Sequence, residues 1–296
     1  MDLFQDKNIA PMLIARMQEP FDDPDWIYEL KLDGSRCIAY LEQDRVILRS
    51  KRNMELLPRF PELAQIYMQA RRRCILDGEL VILVKGVPDF YELQKREMMS
   101  DPFKIQLGAT KLPASFVAYD CLQAGDRVLL DVPLIERKHV LADLIREEER
   151  LAVSRYIEEK GIDLFELTKQ KELEGVVTKR KAGLYHLGKR TKEWIKFKRM
   201  ADEDFVICGY QPGDMIKLIL GEYDEGELVY AGTVTLGVRR DIVEVLRKDR
   251  CPFRMPPKGK EQVVWCRPER VCTVEYMPNT KDALRQAVFK GIRNEL

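Results

Sequence analysis

Short segments in which apolar and polar residues alternate recur along almost the whole chain. The segment 36–50, RCIAYLEQDRVILRS, alternates on both sides of a turn at Asp44, and SFVAYDCL, GVVTKR and WIKFK repeat the pattern further on. Such alternation is typical of β-strands with one face in a core, and the short spacing favours antiparallel pairing. We therefore predict antiparallel sheets as the basis of the fold.

Helical periodicity appears in two regions between the predicted strands. Apolar residues are spaced as in a helix over 60–73, and again, with flanking charges, over 133–160. Strands and helices mix without strict βαβ order, which predicts an α+β domain over residues 1–200. Within it, we expect a hairpin across Gly34 that joins YELKLD to the strand that follows.

The pattern changes near Met200. Residues 201–296 contain short strand-like runs with frequent turns, among them DFVICGY, MIKLILGEY and QVVWCRP, and one helical segment at 241–248. About five short strands and one helix predict a small Greek-key barrel of the OB type, although an SH3-like barrel would give the same pattern. The length of 296 residues also fits two domains.

Composition excludes several classes of protein. Hydrophobic residues make up 45% and charged residues 33%, which argues against a disordered or fibrous chain. The first residues, MDLFQDKNIAPML, lack the pattern of a secretion signal, and no apolar run is long enough for a membrane span. The 7 cysteines include no CxxC pair. We expect reduced, buried thiols in a cytoplasmic protein rather than a zinc site or disulfides.

Net charge does not favour a polyanionic partner, since 50 Lys and Arg residues face 49 Asp and Glu residues. The positions of the basic residues are more informative. They cluster at Arg71–Arg73, over 179–190 and at Arg239–Arg240. Each group is a candidate for contacts with nucleic-acid phosphates, with a set of solvated charges as the alternative.

The segment YELKLDGSR places Lys31 two residues before Asp33 and three before Gly34. A lysine amine in water is almost entirely protonated at pH 7, so a nucleophilic lysine needs a pocket that favours the neutral form. The alternative is an ordinary hairpin, because Asp-Gly is a common turn pair. Other segments have to decide between the two interpretations.

Carboxylates and lysines lie at unusual places in other strands. Glu79 lies inside CILDGELVIL and Glu174 opens EGVVTKR, where a carboxylate is costly unless it binds a cation, a hydroxyl or a metal. In WIKFK, alternation puts Lys196 and Lys198 on one face. Two adjacent ammonium groups favour an anion such as a triphosphate between them, although solvated turns and an edge strand would explain the same residues.

The order of these segments resembles the motif series of the covalent nucleotidyltransferases, which include ATP-dependent DNA ligases, RNA ligases and mRNA-capping guanylyltransferases. The series is KLDGSR, SKRNME, LDGELV, FVAYD, EGVVTKR and WIKFK. Longer segments, including WIYELKLDGSR and KRKAGLYHLGKRTKEWIKFK, are most similar to the ligase modules of bacterial non-homologous end-joining proteins. The resemblance implies an adenylation (nucleotidyltransferase) domain over residues 1–200 and an OB-fold β-barrel over residues 201–296.

The resemblance implies an ATP-dependent DNA ligase that acts in DNA repair or end joining. Lys31 would form a covalent lysyl-AMP with ATP, and the AMP would pass to a 5′-phosphate at a nick before the 3′-hydroxyl displaces it. Asp33 would assist the later steps at the nick. Lys196 and Lys198 would contact the α-phosphate and complete the catalytic set.

Further residues of a nucleotide site follow from the same resemblance. Tyr119 would stack on adenine, Glu29 would lie at the adenine edge, and Arg36 and Glu79 would hold the ribose and phosphate region. Mg²⁺, with Mn²⁺ as an alternative, would bind at Glu79 and Glu174. The full set of nucleotide-binding residues that the resemblance implies is Glu29, Leu30, Arg36, Arg52, Glu79, Tyr119, Glu174, Lys196, Lys198 and Arg293.

At two positions the family pattern does not transfer directly. The SKRN segment offers either Lys51 or Arg52 for a contact with the nucleotide or the nick, and we favour Arg52 because a guanidinium binds phosphate through two nitrogens. The last motif of the family has an arginine followed by Asp-Lys, whereas Arg293 is followed by Asn294 and Glu295. This departure predicts weaker orientation of the pyrophosphate leaving group.

The resemblance implies nicked duplex DNA as the partner, with a Ku-like end-binding protein as a further one, and a cytoplasmic monomer without a membrane anchor. Three alternatives stay open: an RNA ligase, a capping-type guanylyltransferase that uses GTP, and a non-catalytic OB-type nucleic-acid-binding module. Labelling with ATP or GTP, followed by a chase with nicked DNA, distinguishes them.

Overall fold

The computed structural model describes residues 3–15, 17–257, 262–278 and 284–293. The chain divides into two compact units, with the boundary between Lys198 and Arg199. Each unit has a buried apolar core of its own. No helix in the described ranges is long and apolar enough to cross a membrane.

The first unit combines two sheets with short helices. Its strands are β1 (Trp26–Leu30), β2 (Ser35–Leu41), β3 (Val46–Ser50), β4 (Cys74–Val84), β5 (Val87–Pro88), β6 (Ala114–Ala124), β7 (Arg127–Val128), β8 (Leu151–Val153), β9 (Tyr156–Glu158), β10 (Gly175–Arg180) and β11 (Trp194–Lys198). Its helices are α1 (Leu3–Asp6), α2 (Phe90–Glu97), α3 (Pro102–Lys111), α4 (Leu134–Leu144) and α5 (Gly161–Gln170).

The two sheets of this unit differ in size. The small sheet has the strand order β11-β10-β1-β9, and the large sheet has the order β3-β2-β4-β6-β7, with β5 on β4 and β8 on β6. Pairing between these strands is antiparallel except between β6 and β8. Helix α4 packs on β6 and α5 on β10. This architecture confirms the predicted α+β class with antiparallel sheets.

One face of the large sheet forms the main core. Leu76 and Phe116 are fully buried there, together with Leu141 of α4. Full burial of each such side chain stabilises the fold by about 1.5–3 kcal/mol. This packing covers one face of the large sheet with helix and leaves part of the other face available for polar side chains.

The predicted hairpin across Gly34 is wrong. Strand β1 pairs with β9 and β10, whereas β2 pairs with β3 and β4. A Cβ atom at Gly34 would lie 2.2 Å from the carbonyl oxygen of Leu80. The chain therefore passes directly over β4 as it leaves the small sheet for the large one, and only glycine fits there. The turn at Asp44 is confirmed by the β2–β3 hairpin.

The two helical predictions are only partly confirmed. Residues 57–69 form short 3₁₀ turns instead of an α-helix, and Pro58 and Pro61 lie in the first positions of two of them. Proline lacks the N–H that a continuous helix requires in its interior. Between residues 133 and 160, α4 ends at Leu144 and the chain continues into β8 and β9.

The second unit is a sheet that surrounds an apolar core. Its elements are β12 (Ala201–Gln211), β13 (Lys217–Asp224), β14 (Glu227–Val234), α6 (Asp241–Glu244), β15 (Val264–Trp265), β16 (Val271–Met277) and β17 (Arg285–Arg293). The order is β14-β13-β12-β16-β17, with β15 on β12. The cysteines of the chain are free, and all but Cys251 are buried, which confirms the predicted burial of these side chains.

Candidate active site

One face of the small sheet carries a row of charged side chains. The cross-strand register places Glu29 opposite Val177, which lies opposite Lys196, and places Lys179 opposite Trp194. Residues that lie directly opposite one another in a sheet share a face, and every second residue of a strand shares it too. Alternation therefore brings charges from three strands onto the same surface.

The opposite face of the small sheet is apolar. Tyr28, Val176 and Phe197 are fully buried there and pack with Phe165 of α5. Because this face is fixed by the core, a one-residue slip of register would move the charged side chains into the apolar core and these apolar side chains into the charged cluster. The core therefore determines where the charged residues lie.

Lys31 immediately follows β1, and its position is fixed by backbone and side chain. Its backbone N–H donates a hydrogen bond of 2.9 Å to the carbonyl oxygen of Gly175. Its Nζ lies 2.8 Å from Oε2 of Glu174, while Nζ of Lys198 lies 2.9 Å from Oε1 of the same carboxylate. Glu174 is 8% exposed, so one buried carboxylate pairs with two lysines.

The charges of this cluster act on one another. Burial by itself would raise the pKa of Glu174, but Lys31 and Lys198 outweigh burial and lower it. Burial lowers the pKa of Lys196, and the like charges of Lys198 and Lys31 lower it further. Three ammonium groups around one carboxylate leave an excess of positive charge, which favours binding of a polyanion.

The large sheet contributes a second group of residues. Strand register places Arg36 opposite Glu79. The Arg36 Nε donates a hydrogen bond of 2.6 Å to Oδ1 of the fully buried Asp77, and its guanidinium lies 5.1 Å from the ring centroid of Tyr119. Burial opposes the charge on Arg36, but Asp77 raises the pKa of the guanidinium well above its usual range. Arg36 is therefore a permanent cation in a fixed orientation.

Glu79 lies on the large sheet, and its charge interacts with that of Lys31, which follows a strand of the small sheet. Burial raises the pKa of Glu79 to about 7, although Lys31 and Arg36 act in the opposite direction. The hydroxyl of Tyr119 donates a hydrogen bond of 3.4 Å to its Oε2. A carboxyl group with this pKa changes charge near neutral pH.

The buried carboxylate of Asp77 is linked to the N-terminal segment through Tyr185 and Arg36. The hydroxyl of Tyr185 donates a hydrogen bond of 2.6 Å to Oδ2 of Asp77 and accepts one of 3.1 Å from the backbone N–H of Met12. Arg36 donates to the carbonyl oxygen of Met12 at 3.1 Å. Sequence reasoning missed Asp77 as a ligand of Arg36, and it missed Tyr185 because nothing local distinguishes this tyrosine.

The sequence makes Lys179 a candidate for contacts with DNA phosphates, with a solvated charge as the alternative, and both interpretations are wrong. Its side chain is buried, with Nζ 2.8 Å from Oε2 of Glu29 and 4.4 Å from the ring centroids of both Tyr119 and Trp194. Burial lowers the pKa of Lys179 to about 8, although Glu29 opposes that change. Alternation puts Lys179 on the same side of the strand as Val177, but the carboxylate that pairs with it comes from a strand that is distant in sequence.

Glu79 and Glu174 are the acidic residues of the site that suit a divalent cation. Among the described residues, no cluster of three or more His, Cys, Asp or Glu side chains has the arrangement of a protein-only metal site. Mg²⁺ usually binds through one or two carboxylates together with substrate phosphates and water. The donor set therefore fits a cation that arrives with a phosphorylated ligand.

The structure does not bring every predicted residue into this group. Arg52 lies in an exposed turn after β3, and Leu30 is 39% exposed at the end of β1. Asp33 is half-buried in the loop between β1 and β2. Arg293 belongs to the second unit, where it lies 2.8 Å from Oδ2 of Asp204. The departure from the family pattern after Arg293 lies outside the described residues.

A family model for the ATP-dependent DNA ligase domain matches residues 11–198, which is more than half of the chain. A second model, for the ATP-dependent DNA ligase C-terminal region, matches residues 211–296. This chain belongs to the ATP-dependent DNA ligase family.

Two curated relatives of this ligase-family chain differ in length. The multifunctional non-homologous end joining protein LigD of Pseudomonas aeruginosa is 34% identical over 97% of this chain, which spans only 36% of that protein. DNA ligase C1 of Mycolicibacterium smegmatis is 31% identical over 93% of this chain and 85% of its own length.

Solved structures show the same fold. A mycobacterial DNA ligase D complexed with ATP and MES is 27% identical, covers 98% of this chain and 96% of its own chain, and has a TM-score of 0.61. The ligase domain of M. tuberculosis LigD is 26% identical, with the same coverage and a TM-score of 0.59. These ligase structures confirm the predicted OB-type fold of the C-terminal unit rather than the SH3-like alternative.

Proposed function

We propose that this chain is an ATP-dependent DNA ligase that seals nicks between a 5′-phosphate and a 3′-hydroxyl in duplex DNA, in DNA repair or end joining. The observation that carries the proposal is the contact of Lys31 with Glu174 in a buried cluster that includes Lys198. This cluster provides an amine, a carboxylate that orients it and a cation for phosphate. Family membership supports ATP as the nucleotide.

In the first step, the neutral amine of Lys31 attacks the α-phosphorus of ATP. The new P–N bond forms as the bond to pyrophosphate breaks, and the amine releases one proton to solvent; Glu174, in hydrogen-bond contact with the amine, orients it for the attack. Lys196 and Lys198 stabilise the charge that develops on the α-phosphate oxygens.

The next two steps involve DNA. The 5′-phosphate of a nick displaces the lysine from AMP, so that the P–N bond breaks and a phosphate–phosphate bond forms. The 3′-hydroxyl then attacks the 5′-phosphate and AMP leaves. Asp33 and Arg52 act at the nick in this proposal, and Mg²⁺ or Mn²⁺ held by Glu79 and Glu174 would supply further charge neutralisation on phosphate oxygens.

The edge formed by Glu29 and Lys179 supports adenine as the base. Lys179 touches both the ring of Tyr119 and the carboxylate of Glu29, so a base stacked on Tyr119 has one edge at this pair. A carboxylate accepts hydrogen bonds and an ammonium donates them. The 6-amino group and N1 of adenine match that pattern, whereas O6 and N1–H of guanine reverse it. The capping-type use of GTP is therefore disfavoured.

Partners and location follow from the proposed activity. DNA contacts would come mainly from exposed arginines such as Arg71, Arg72, Arg239 and Arg240, with affinity that falls steeply as salt rises. We propose a cytoplasmic monomer with a Ku-like end-binding protein as a further partner.

The test is labelling with ATP that carries ³²P at the α-phosphate. We expect label on the protein in the presence of Mg²⁺, AMP on the tryptic peptide that contains Lys31, and release of label with a sealed strand after nicked DNA is added. Lys31→Ala should take no label. AMP on another residue would contradict the mechanism, and retention of label without sealing would contradict the ligase activity. A nicked RNA duplex in parallel tests the RNA-ligase alternative.

A further inference from the structure

The outer edge of β11 is covered by the chain that precedes β1. Strand β11 lies at one end of the order β11-β10-β1-β9. The backbone N–H groups of Ala15 and Gln18 donate hydrogen bonds of 2.8 Å and 3.2 Å to the carbonyl oxygens of Trp194 and Lys196. Met17 forms a parallel bridge with Lys196. The preceding chain therefore extends the small sheet by one short parallel strand.

This edge segment, residues 12–15 with 17–18, is anchored at Met12. The side chain of Met12 is fully buried. Its backbone N–H donates a hydrogen bond of 3.1 Å to the hydroxyl of Tyr185, and its carbonyl oxygen accepts one of 3.1 Å from Arg36. The edge segment thus contacts a cation of the large sheet at one end and the backbone of a cation of the small sheet at the other.

The backbone of Lys196 is bonded to the edge segment rather than to β10. Lys196 lies opposite Val177 of β10 in an antiparallel pair. Residues that lie opposite one another in such a pair either exchange both backbone hydrogen bonds or exchange none. Since the carbonyl group of Lys196 points to Gln18, its pair with Val177 is of the second kind. Gln18 therefore holds a backbone group that β10 does not hold.

We propose that the backbone N–H of Gln18 is a positioning group that sets where the amine of Lys196 meets the α-phosphate of ATP. This inference rests on the proposed function, in which Lys196 stabilises charge on the α-phosphate oxygens. Gln18 acts through Lys196 and makes no contact of its own with the nucleotide. Its side chain is exposed and has no part in the reaction.

The physical reason is the flexibility of lysine. Its ammonium group is a point charge on a stem of four carbon atoms, so the place of that charge depends on how firmly the backbone below the stem is held. A displacement of about 1 Å at a catalytic group can cost about 100-fold in rate. The backbone bond from Gln18 to Lys196 is the contact of the edge segment that acts on this backbone.

Two substitutions at one position test the inference. Gln18→Pro removes the N–H, whereas Gln18→Ala keeps it. The measurement is the single-turnover rate of self-adenylation at saturating ATP, with Lys196 present and in the Lys196→Ala background. We expect Gln18→Pro to lower the rate by about 10-fold when Lys196 is present and by less than about twofold when it is absent, because coupled groups are not additive. Gln18→Ala should stay within about twofold of the wild-type rate.

A purely structural role for Gln18 would lower the rate by the same factor in both backgrounds, and that result would overturn the proposal, as would an unchanged rate in both. Proline is tolerated at the edges of sheets, so we expect Gln18→Pro to fold, and thermal melting checks this. If it does not fold, the α-hydroxy analogue of glutamine at position 18 replaces the N–H with an ester oxygen and keeps the side chain.

Failure of the proposed function gives a different result. If the wild-type chain takes no label from ATP, the proposed function fails, and calorimetric titration with ATP and Mg²⁺ then tests the inference separately. Gln18→Pro should weaken the binding of ATP when Lys196 is present and leave it unchanged in the Lys196→Ala background. Equal weakening in both backgrounds, or none in either, would overturn the inference.

Discussion

Nζ of Lys31 lies 2.8 Å from Oε2 of Glu174, although the two residues are 143 positions apart in the sequence. The sheet makes this contact possible, since the backbone of Lys31 is hydrogen-bonded to Gly175, the residue that follows Glu174. The proposed nucleophile and the carboxylate that contacts it are thus held by one pair of neighbouring strands. Changes at either residue should affect the same chemical step.

Replacement of Glu174 by glutamine should slow self-adenylation by about 100-fold or more, because the amine of Lys31 loses the carboxylate that orients it and the site loses a proposed Mg²⁺ ligand. Single-turnover labelling with excess protein measures the step directly. Glu166→Gln is the matched control, since Glu166 is an exposed carboxylate that pairs with a lysine of its own helix, Lys169. Equal rates for Glu174→Gln and wild type would contradict the assigned role.

Self-adenylation should depend on pH through Glu79. Burial raises the pKa of Glu79 to about 7, so the carboxylate that would hold the ribose or a metal is lost as pH falls through that value. We expect kcat/KM to rise between pH 6 and pH 8, a range that brackets this pKa. The Glu79→Gln variant should be less active and should lack this limb of the profile. If Glu79→Gln shows the same rise of kcat/KM with pH, a group other than Glu79 causes that rise.

The same carboxyl group should reduce stability at high pH. Its pKa is about 7 in the folded chain and 4.5 in the reference state, so the folded state binds the proton more tightly and loses stability as pH rises from 4.5 to 7. Glu79→Gln should therefore raise the melting temperature at pH 8 by several degrees and change it little at pH 4.5. Glu19→Gln, at an exposed carboxylate, should show no such pH-dependent difference.

Removal of the Tyr185 hydroxyl should weaken nucleotide binding without removing a residue that contacts the nucleotide. Tyr185→Phe takes one hydrogen bond from Asp77 and leaves the backbone N–H of Met12 without its acceptor. We expect a loss of about 1–3 kcal/mol of stability and a several-fold rise in KM for ATP, because Arg36 is held less firmly. Tyr223→Phe, at a residue that is 60% exposed, should change neither quantity. An unchanged KM for ATP would show that the Tyr185 hydroxyl does not affect nucleotide binding.

Gly175→Ala should destabilise the first unit strongly. The residue has φ of +144°, and a Cβ there would lie 2.1 Å from the carbonyl oxygen of Phe197. Large losses, of about 3 kcal/mol or more, are typical of such combined strain and overlap. Gly226→Ala is the control, since its φ of +86° is also positive but nothing lies within 4 Å. Similar melting temperatures for both variants would contradict the argument.

Local periodicity in the sequence was sufficient to predict the placement of some residues of the site. The common face of Lys196 and Lys198 follows from alternation within one strand, and the structure places them as predicted. Pairing between distant strands is not encoded in such patterns. The assignment of β1 and β2 to different sheets depends on contacts of β1 with β9 and β10, and the local Asp-Gly pair suggested a hairpin instead.

Charged side chains that the structure buries were the second source of wrong predictions from the sequence. Lys179, Arg180 and Lys181 resemble a solvated surface cluster when they are read as three consecutive cations. In a strand, however, neighbours point to opposite sides, and Lys179 turns inward to a carboxylate from β1. The partner that makes its burial tolerable is 150 residues away, so no local signal could show that it exists.

The crossing of the chain at Gly34 links the reactivity of the site to the spacing of its two sheets. Lys31 belongs to the small sheet, and Glu79 belongs to the large one. Two residues, Leu32 and Asp33, separate Lys31 from Gly34, so a wider gap between the sheets would change the distance from the Lys31 amine to the Glu79 carboxylate. Apolar substitutions between the two sheets should therefore change the rate of the proposed self-adenylation without replacing any residue of the proposed nucleotide site.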